Sequence, residues 1–132
     1  MTFAELLDKG DPAIAVVGAT DDPRKFGNTI YRDLKAKRFR VFAVNPNRDT
    51  VDGDLAYSSL GDLPVRPDIV NIVVPPDQTY LVLQRSRELG LTRVWVQPGA
   101  EDRRVLEYLD EHDFDYLVNA CIMVHSRARP LG

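Results

Sequence analysis

Ala13-Ile14-Ala15-Val16-Val17-Gly18-Ala19-Thr20-Asp21-Asp22-Pro23-Arg24-Lys25-Phe26-Gly27-Asn28 decides the fold. An apolar run stops at a glycine, passes through a polar turn and re-enters at a second glycine, which is how a buried strand hands over to an anion-binding helix. Gly18 permits a sharp backbone turn, and a helix starting near Gly27 presents unpaired N–H groups and a positive dipole end. The expected ligand is a nucleotide or a molecule that contains one.

The same stretch weighs against a nicotinamide dinucleotide. The fingerprint G-x-G-x-x-G needs a second glycine two residues after the first, so that the backbone can approach a pyrophosphate, and Thr20 holds that position. The next strand, Arg40-Val41-Phe42-Ala43-Val44, runs into Asn45-Pro46-Asn47-Arg48, without the carboxylate that would bind the ribose hydroxyls of NAD. An NAD(P)-dependent oxidoreductase is therefore an alternative reading lacking both of its signatures.

Outward from this unit, strands and helices alternate. Thr2 to Lys9 reads as a short helix with Thr2 as N-cap, Glu5 as its capping-box partner and Gly10 as the stop. Ile30, Tyr31 and Leu34 recur at helical spacing between Asn28 and Arg38, the pattern of an amphipathic helix on a sheet. Thr50 to Pro67 reads as an irregular connection with room for a short edge strand. Asp68 to Val74 is a buried strand ended by Pro75-Pro76, after which Asp77 or Thr79 caps a helix to about Leu89. A strand at Arg93 to Gln97, a helix at about Asp102 to His112, a strand at Asp115 to Val118 and an arginine-containing tail follow. This alternation predicts an α/β fold, a doubly wound parallel sheet of about five strands. Ligands of such sheets sit beyond the carboxyl ends of the strands. Here those ends carry Gly18-Ala19-Thr20, Asn45-Pro46, Pro75-Pro76 and Pro98-Gly99, with no carboxylate, histidine or serine nucleophile among them.

Composition bounds the possibilities. The chain has 132 residues, about one domain, so residues 1–132 are expected to form a single unit. A net charge of -3 without a long basic run argues against duplex nucleic acid as a partner. No apolar run approaches the roughly 20 residues that span a bilayer, and no signal peptide opens the chain, so a cytoplasmic protein is expected. A single cysteine, Cys121, excludes an internal disulfide and a cysteine metal cluster, and two histidines, His112 and His125, lie on different predicted elements.

The strand ends together with Pro23, Lys25 and Gly27 resemble the small CoA-binding proteins and, more distantly, the CoA-binding N-terminal domain of the succinyl-CoA synthetase α subunit. The resemblance runs through Val17-Gly18-Ala19-Thr20, Val44-Asn45-Pro46, Gly53 with Tyr57, Ser59 and Leu60, Val74-Pro75-Pro76, Val94-Trp95 with Gln97 and Gly99, and Cys121. It covers about Ala13 to His125. It differs in carrying Asn119-Ala120 before the cysteine, where the family often has Asp-Arg, and in placing Asp21 and Asp22 in the first loop.

The resemblance implies a Rossmann-like CoA-binding domain whose ligand is CoA or an acyl-CoA. By analogy Gly18, Ala19, Thr20, Arg24, Lys25 and Gly27 would surround phosphate, and Asn45, Pro46 and Arg48 would meet the adenosine end. Val74, Pro75 and Pro76 would form an apolar wall for the pantetheine arm, closed by Gln97 and Gly99. Trp95 is expected in the core, Cys121 as a small buried hydrophobe, and the tail's Arg127 and Arg129 stand open between a partner contact and no role. A binding module without autonomous catalysis, with a homodimer or a protein partner, is the expected class. The alternative enzyme reading, a subunit of an acyl-CoA ligase, needs a phosphorylated histidine and a nucleotide-binding domain that are not evident in these residues.

Overall fold

In the computed structural model, which describes residues 1–130, strand β1 (Ala13–Val17) is buried at all five positions because both of its faces are covered. Side chains alternate across a strand, so Ile14 and Val16 point to one face and Ala15 and Val17 to the other. On the first face lie helices α1 (Phe3–Asp8) and α2 (Phe26–Ala36), which contribute Phe3, Leu6, Leu7, Ile30, Tyr31 and Leu34. On the second lie α3 (Pro76–Glu88) and α4 (Arg103–Glu111), contributing Leu83, Val105 and Leu109.

The remaining strands are β2 (Arg40–Val44), β3 (Thr50–Val51), β4 (Asp54–Tyr57), β5 (Ile69–Ile72), β6 (Arg93–Val96) and β7 (Asp115–Leu117). They form one seven-stranded sheet in the order β3-β4-β2-β1-β5-β6-β7. All pairings are parallel except β3 with β4. Counting only the parallel strands in chain order, the arrangement is third, second, first, fourth, fifth, sixth. This is the strand order of the dinucleotide-binding folds, with the reversal of direction falling between β1 and β5.

Both strands beyond the expected five lie in the segment expected to be irregular. Asp52 and Gly53 both adopt positive φ, 51° and 80°, and this two-residue turn folds β3 onto β4 as a tight hairpin. β4 then pairs with β2 and extends the sheet. The hairpin is tied to α2, where the Tyr31 hydroxyl donates to Asp54 Oδ2 at 2.7 Å and Lys35 Nζ pairs with Asp54 at 2.9 Å. Neither strand carries a long apolar alternation, so periodicity leaves room for a short edge strand there but does not indicate the hairpin.

The start of α1 follows the expected chemistry and that of α3 departs from it. Thr2 and Glu5 form the reciprocal capping box, and Asp102 Oδ1 accepts from the Val105 amide at 2.9 Å. α3, by contrast, is capped by neither Asp77 nor Thr79. Pro75 is its N-cap and Pro76 its first residue, because proline's fixed φ suits the first turn and its missing N–H costs nothing there. Thr79 is buried inside the helix, and its hydroxyl donates back to the Val74 and Pro75 carbonyls at 3.1 and 3.2 Å. Trp95 is core as expected, its indole N–H donating to the Ala120 carbonyl at 2.8 Å. Arg129 is an intramolecular strap: its amide donates to Lys37 O at 2.8 Å, its guanidinium reaches the Gly10 carbonyl, and it stacks over the Phe39 ring.

Candidate functional site

The site forms where β1 and β5 end side by side. Gly18 turns the chain out of β1 with φ of +104°, and a Cβ there would stand 2.7 Å from the Val73 carbonyl oxygen. Gly27, in the first turn of α2, lies so close above Gly18 that its Cβ would stand 2.0 Å from the Gly18 carbonyl oxygen. Both contacts are with backbone, which cannot step aside as a flexible side chain can. The helix therefore begins directly over the strand end, and only glycine fits at both levels.

Two asparagines hold the intervening loop. Asn28 Nδ2 donates to the Thr20 carbonyl at 3.0 Å and Asn45 Nδ2 to the Ala19 carbonyl at 2.9 Å, while Asn45 Oδ1 accepts from the Asn47 amide at 2.9 Å. These bonds occupy the loop's carbonyl acceptors. The N-terminal amides of α2 remain uncovered by any side-chain cap at Lys25, and those of α3 likewise at Pro75. Two helices of 11 and 13 residues thus direct their positive dipole ends at the same place.

Between them opens a cleft of about 790 Å³. Its floor is the strand-end backbone from Gly18, Asn45–Pro46 and Val73–Pro76. Along the sheet it runs from the end of β6, where Pro98, Gly99 and Ala100 line it, to the ends of β2 and β4, where Asn47, Ser58, Ser59 and Leu60 do. The α3 residues Gln78, Leu81, Val82 and Arg85 also line it, Arg85 beside residue 61. No carboxylate, histidine or cysteine is among the lining residues, and the two charged ones, Lys25 and Arg85, are both cations.

Ten of the fourteen residues expected at the site line this cleft: Gly18, Thr20, Lys25, Gly27, Asn45, Pro46, Val74, Pro75, Pro76 and Gly99. Four do not. Ala19 turns its methyl into the core, and only its carbonyl serves the loop. Arg24 extends into solvent and forks onto Asp22 with two 3.0 Å bonds. Arg48 pairs with Asp21 at 3.8 Å, and the neighbouring Asn47 reaches the cleft instead. Gln97 faces away from the cleft, fully buried. Its carbonyl accepts from Asn71 Nδ2 and from the Ile122 amide, each at 3.0 Å, and its Nε2 donates to Cys121 Sγ at 3.3 Å. The reason is strand parity: Gln97 lies two residues after Trp95 and so shares its face, opposite to Val94 and Val96, which belong to the core on the cleft's side. Cys121 is correspondingly half-buried and bonded rather than enclosed among apolar groups.

The first loop's two acids are both paired, Asp22 within the loop and Asp21 with residues of the β2–β4 segment. Asp21 Oδ1 accepts from the Asp52 amide at 2.7 Å and Oδ2 faces Arg48. The bonds that Arg24 donates, from side chain and backbone, lower the Asp22 pKa to about 2 from its ordinary 3.8. A carboxyl with a depressed folded-state pKa favours the folded loop above its unfolded value and loses that contribution as pH falls through the folded one. Loop order dependent on Asp22 is therefore expected to persist at pH 5 and to be lost between about pH 4 and pH 2. Carbon-detected NMR titration of the Asp22 carboxyl checks this, and a midpoint at the ordinary value would show that Arg24 does not hold it.

Cleft residues beyond the expected set carried different amounts of signal. Gln78, Leu81, Val82 and Arg85 recur at i, i+3, i+4 and i+7, one face of α3, and could have been read once Pro76 was set as the helix start. Ser58 and Ser59 reach the cleft only because β4 joins the sheet beside β2. Phe26 stands half-exposed at the rim.

A parallel sheet in dinucleotide-fold order, with a glycine-lined cleft at its switch point, defines a domain of the Rossmann type. More particularly, residues 12–127 match the family model described as CoA binding domain, and the chain belongs to that family. Among curated proteins it is 40% identical over 98 residues to the acetate–CoA ligase (ADP-forming) II subunit alpha of Pyrococcus furiosus, covering 69% of this chain and 21% of that one. It is 28% identical over 111 residues to YneT of Bacillus subtilis, covering 84% of this chain and 82% of that protein. The chain thus spans about a fifth of the ligase subunit and most of YneT. Among solved structures, a conserved hypothetical protein from Pyrococcus furiosus superposes with a TM-score of 0.84 at 39% identity, over 87% of this chain and 99% of that one. Among the described residues no helix is long and apolar enough to cross a membrane, and no group of three or more potential metal ligands occurs.

Proposed function

We propose that this chain binds CoA or an acyl-CoA in the cleft at the carboxyl ends of β1 and β5 and has no catalytic activity of its own. The observation that carries the reading is the charge pattern of the cleft. Two uncapped helix N-termini converge on it, and its charged lining residues, Lys25 and Arg85, are both cationic. A diphosphate is the group such a place stabilises, through backbone N–H donors, dipole ends and a lysine. Val74, Pro75 and Pro76 supply the rigid apolar surface that a pantetheine arm would cover. Membership of the CoA-binding domain family supports the same ligand.

CoA is expected to bind at least tenfold more tightly than NAD or NADP, a difference of about 1.4 kcal/mol. Thr20 and Asn45 occupy the positions where a nicotinamide site requires a glycine and an acid. Isothermal titration of the three ligands tests this, and a nicotinamide cofactor binding tenfold tighter than CoA would overturn the reading.

The relative in Pyrococcus furiosus carries the name of a ligase subunit, so an acyl-CoA ligase assembly, or a second copy of this chain, is the class of partner proposed. No histidine, cysteine or carboxylate that could carry a phosphoryl group lines the cleft. His125 sits against Trp95, with ring centroids 5.7 Å apart, and His112 against Tyr108 at 4.3 Å, and neither lines the cleft. Incubation of this chain alone with ATP or GTP, magnesium, a panel of carboxylic acids and CoA is expected to yield neither acyl-CoA nor phosphorylated protein by mass spectrometry. Thioester formation lost in His125→Ala would make the chain an enzyme.

A further inference from the structure

Resting on CoA as the ligand, we infer that Arg85 is the residue that recognises the 3′-phosphate of its ribose, and so sets selectivity for CoA over ligands that lack this group. The cleft has two dissimilar ends on either side of the dipole-lined centre. The end at Pro98, Gly99 and Ala100 offers backbone and small side chains and no cation. The opposite end gathers Asn47, Ser58, Ser59 and Arg85, polar groups with one positive charge. With the diphosphate at the centre, the apolar arm of CoA belongs over Pro75 and Pro76 toward the first end, and the charged nucleoside belongs at the second.

Position along α3 separates the roles of the two cations. Lys25 is the N-cap of α2 and stands at the centre, whereas Arg85 lies nine residues beyond Pro76, about 13 Å along the helix axis. Helical side chains lean toward the N-terminus, so the guanidinium reaches back toward the centre from that height. It is held at that height against the 3-10 turn Leu60–Asp62. The guanidinium Nη2 lies 2.8 Å from where a Cβ of residue 61 would stand, a space left open because residue 61 is glycine.

Arg85 is also available. Among the described residues its ion-pair partner is Glu88, at 3.1 Å, with the two side chains 49% and 66% exposed. A solvent-exposed pair three residues apart on a helix contributes little, and a dianionic phosphate offers the same planar fork a stronger, bidentate partner.

Calorimetric titration at low salt of the parent, Arg85→Gln and Arg85→Lys with CoA and with 3′-dephospho-CoA tests the inference. The parent is expected to prefer CoA by about tenfold or more, a preference that Arg85→Gln abolishes by weakening CoA alone and that Arg85→Lys retains in part. Equal affinity of the parent for the two ligands, an unchanged preference in Arg85→Gln, or equal weakening of both ligands in that variant would each overturn the role of Arg85 while leaving CoA as the ligand. A parent that binds neither molecule removes the CoA reading and this inference together.

Discussion

Gly27→Ala is expected to destabilise the protein by about 3 kcal/mol or more and to remove ligand binding in whatever fraction stays folded. Two effects compete in this substitution. Alanine is the better helix former, by roughly 1 kcal/mol in a helix interior, and favours the variant. The new methyl, however, would stand 2.0 Å from the Gly18 carbonyl oxygen and 2.9 Å from its carbon, distances no real Cβ adopts. Either α2 moves outward or the exit from β1 does, and both are built into the sheet and the cleft floor. The clash therefore outweighs the propensity. Urea unfolding of parent and variant, compared at unchanged m-value, measures the loss. A variant within about 0.5 kcal/mol of the parent would mean that the helix start does not rest on the strand end as described.

Gln97→Leu is expected to cost about 3 kcal/mol and to lower Tm by roughly 10 °C, with CoA affinity unchanged in the folded protein. The substitution removes the acceptor shared by Asn71 Nδ2 and the Ile122 amide, leaving two donors on fully buried residues without their partner. A buried donor deprived of its acceptor loses the full desolvation free energy, on the order of 1–3 kcal/mol each. The result also separates two roles for one residue. A wall of the pantetheine channel would show lost affinity with stability intact, while a tie between β5, β6 and the loop after β7 shows the reverse. Thermal denaturation and CoA titration of the same samples distinguish them.

The glycine spacing of the first loop, the helix face carrying Ile30, Tyr31 and Leu34, and the ordered strand ends placed most of the cleft at the right edge of the right kind of sheet before any coordinates. These are local signals. A buried five-residue apolar run ending in glycine depends on its own residues, and ten of the fourteen expected positions line the cleft, at strand ends or at the start of α2 or α3. What failed to be legible is which polar side chains satisfy one another, whether neighbours in the chain or distant. Asp22 and Arg24 look like one acid and one base until their bonds show that they satisfy each other. Arg129, apparently a free cation in a tail, is spent on the Gly10 carbonyl and the Phe39 ring.

The sequence by itself determined a parallel α/β sheet, the strand-to-helix glycine turn at Gly18 and Gly27, and membership of a CoA-binding family, because each is written in residues close together or in an ordered set of strand ends. Tertiary structure alone decided which side chains face the cleft. Strand parity turned Gln97 to the face opposite the cleft, the Asp52-Gly53 turn brought Ser58 and Ser59 beside β2, and the path of α3 carried Arg85 to the polar end. A side chain's identity is fixed by its codon, but its direction depends on which of two sheet faces the chain covers with which helix, and that is settled only when the whole core packs.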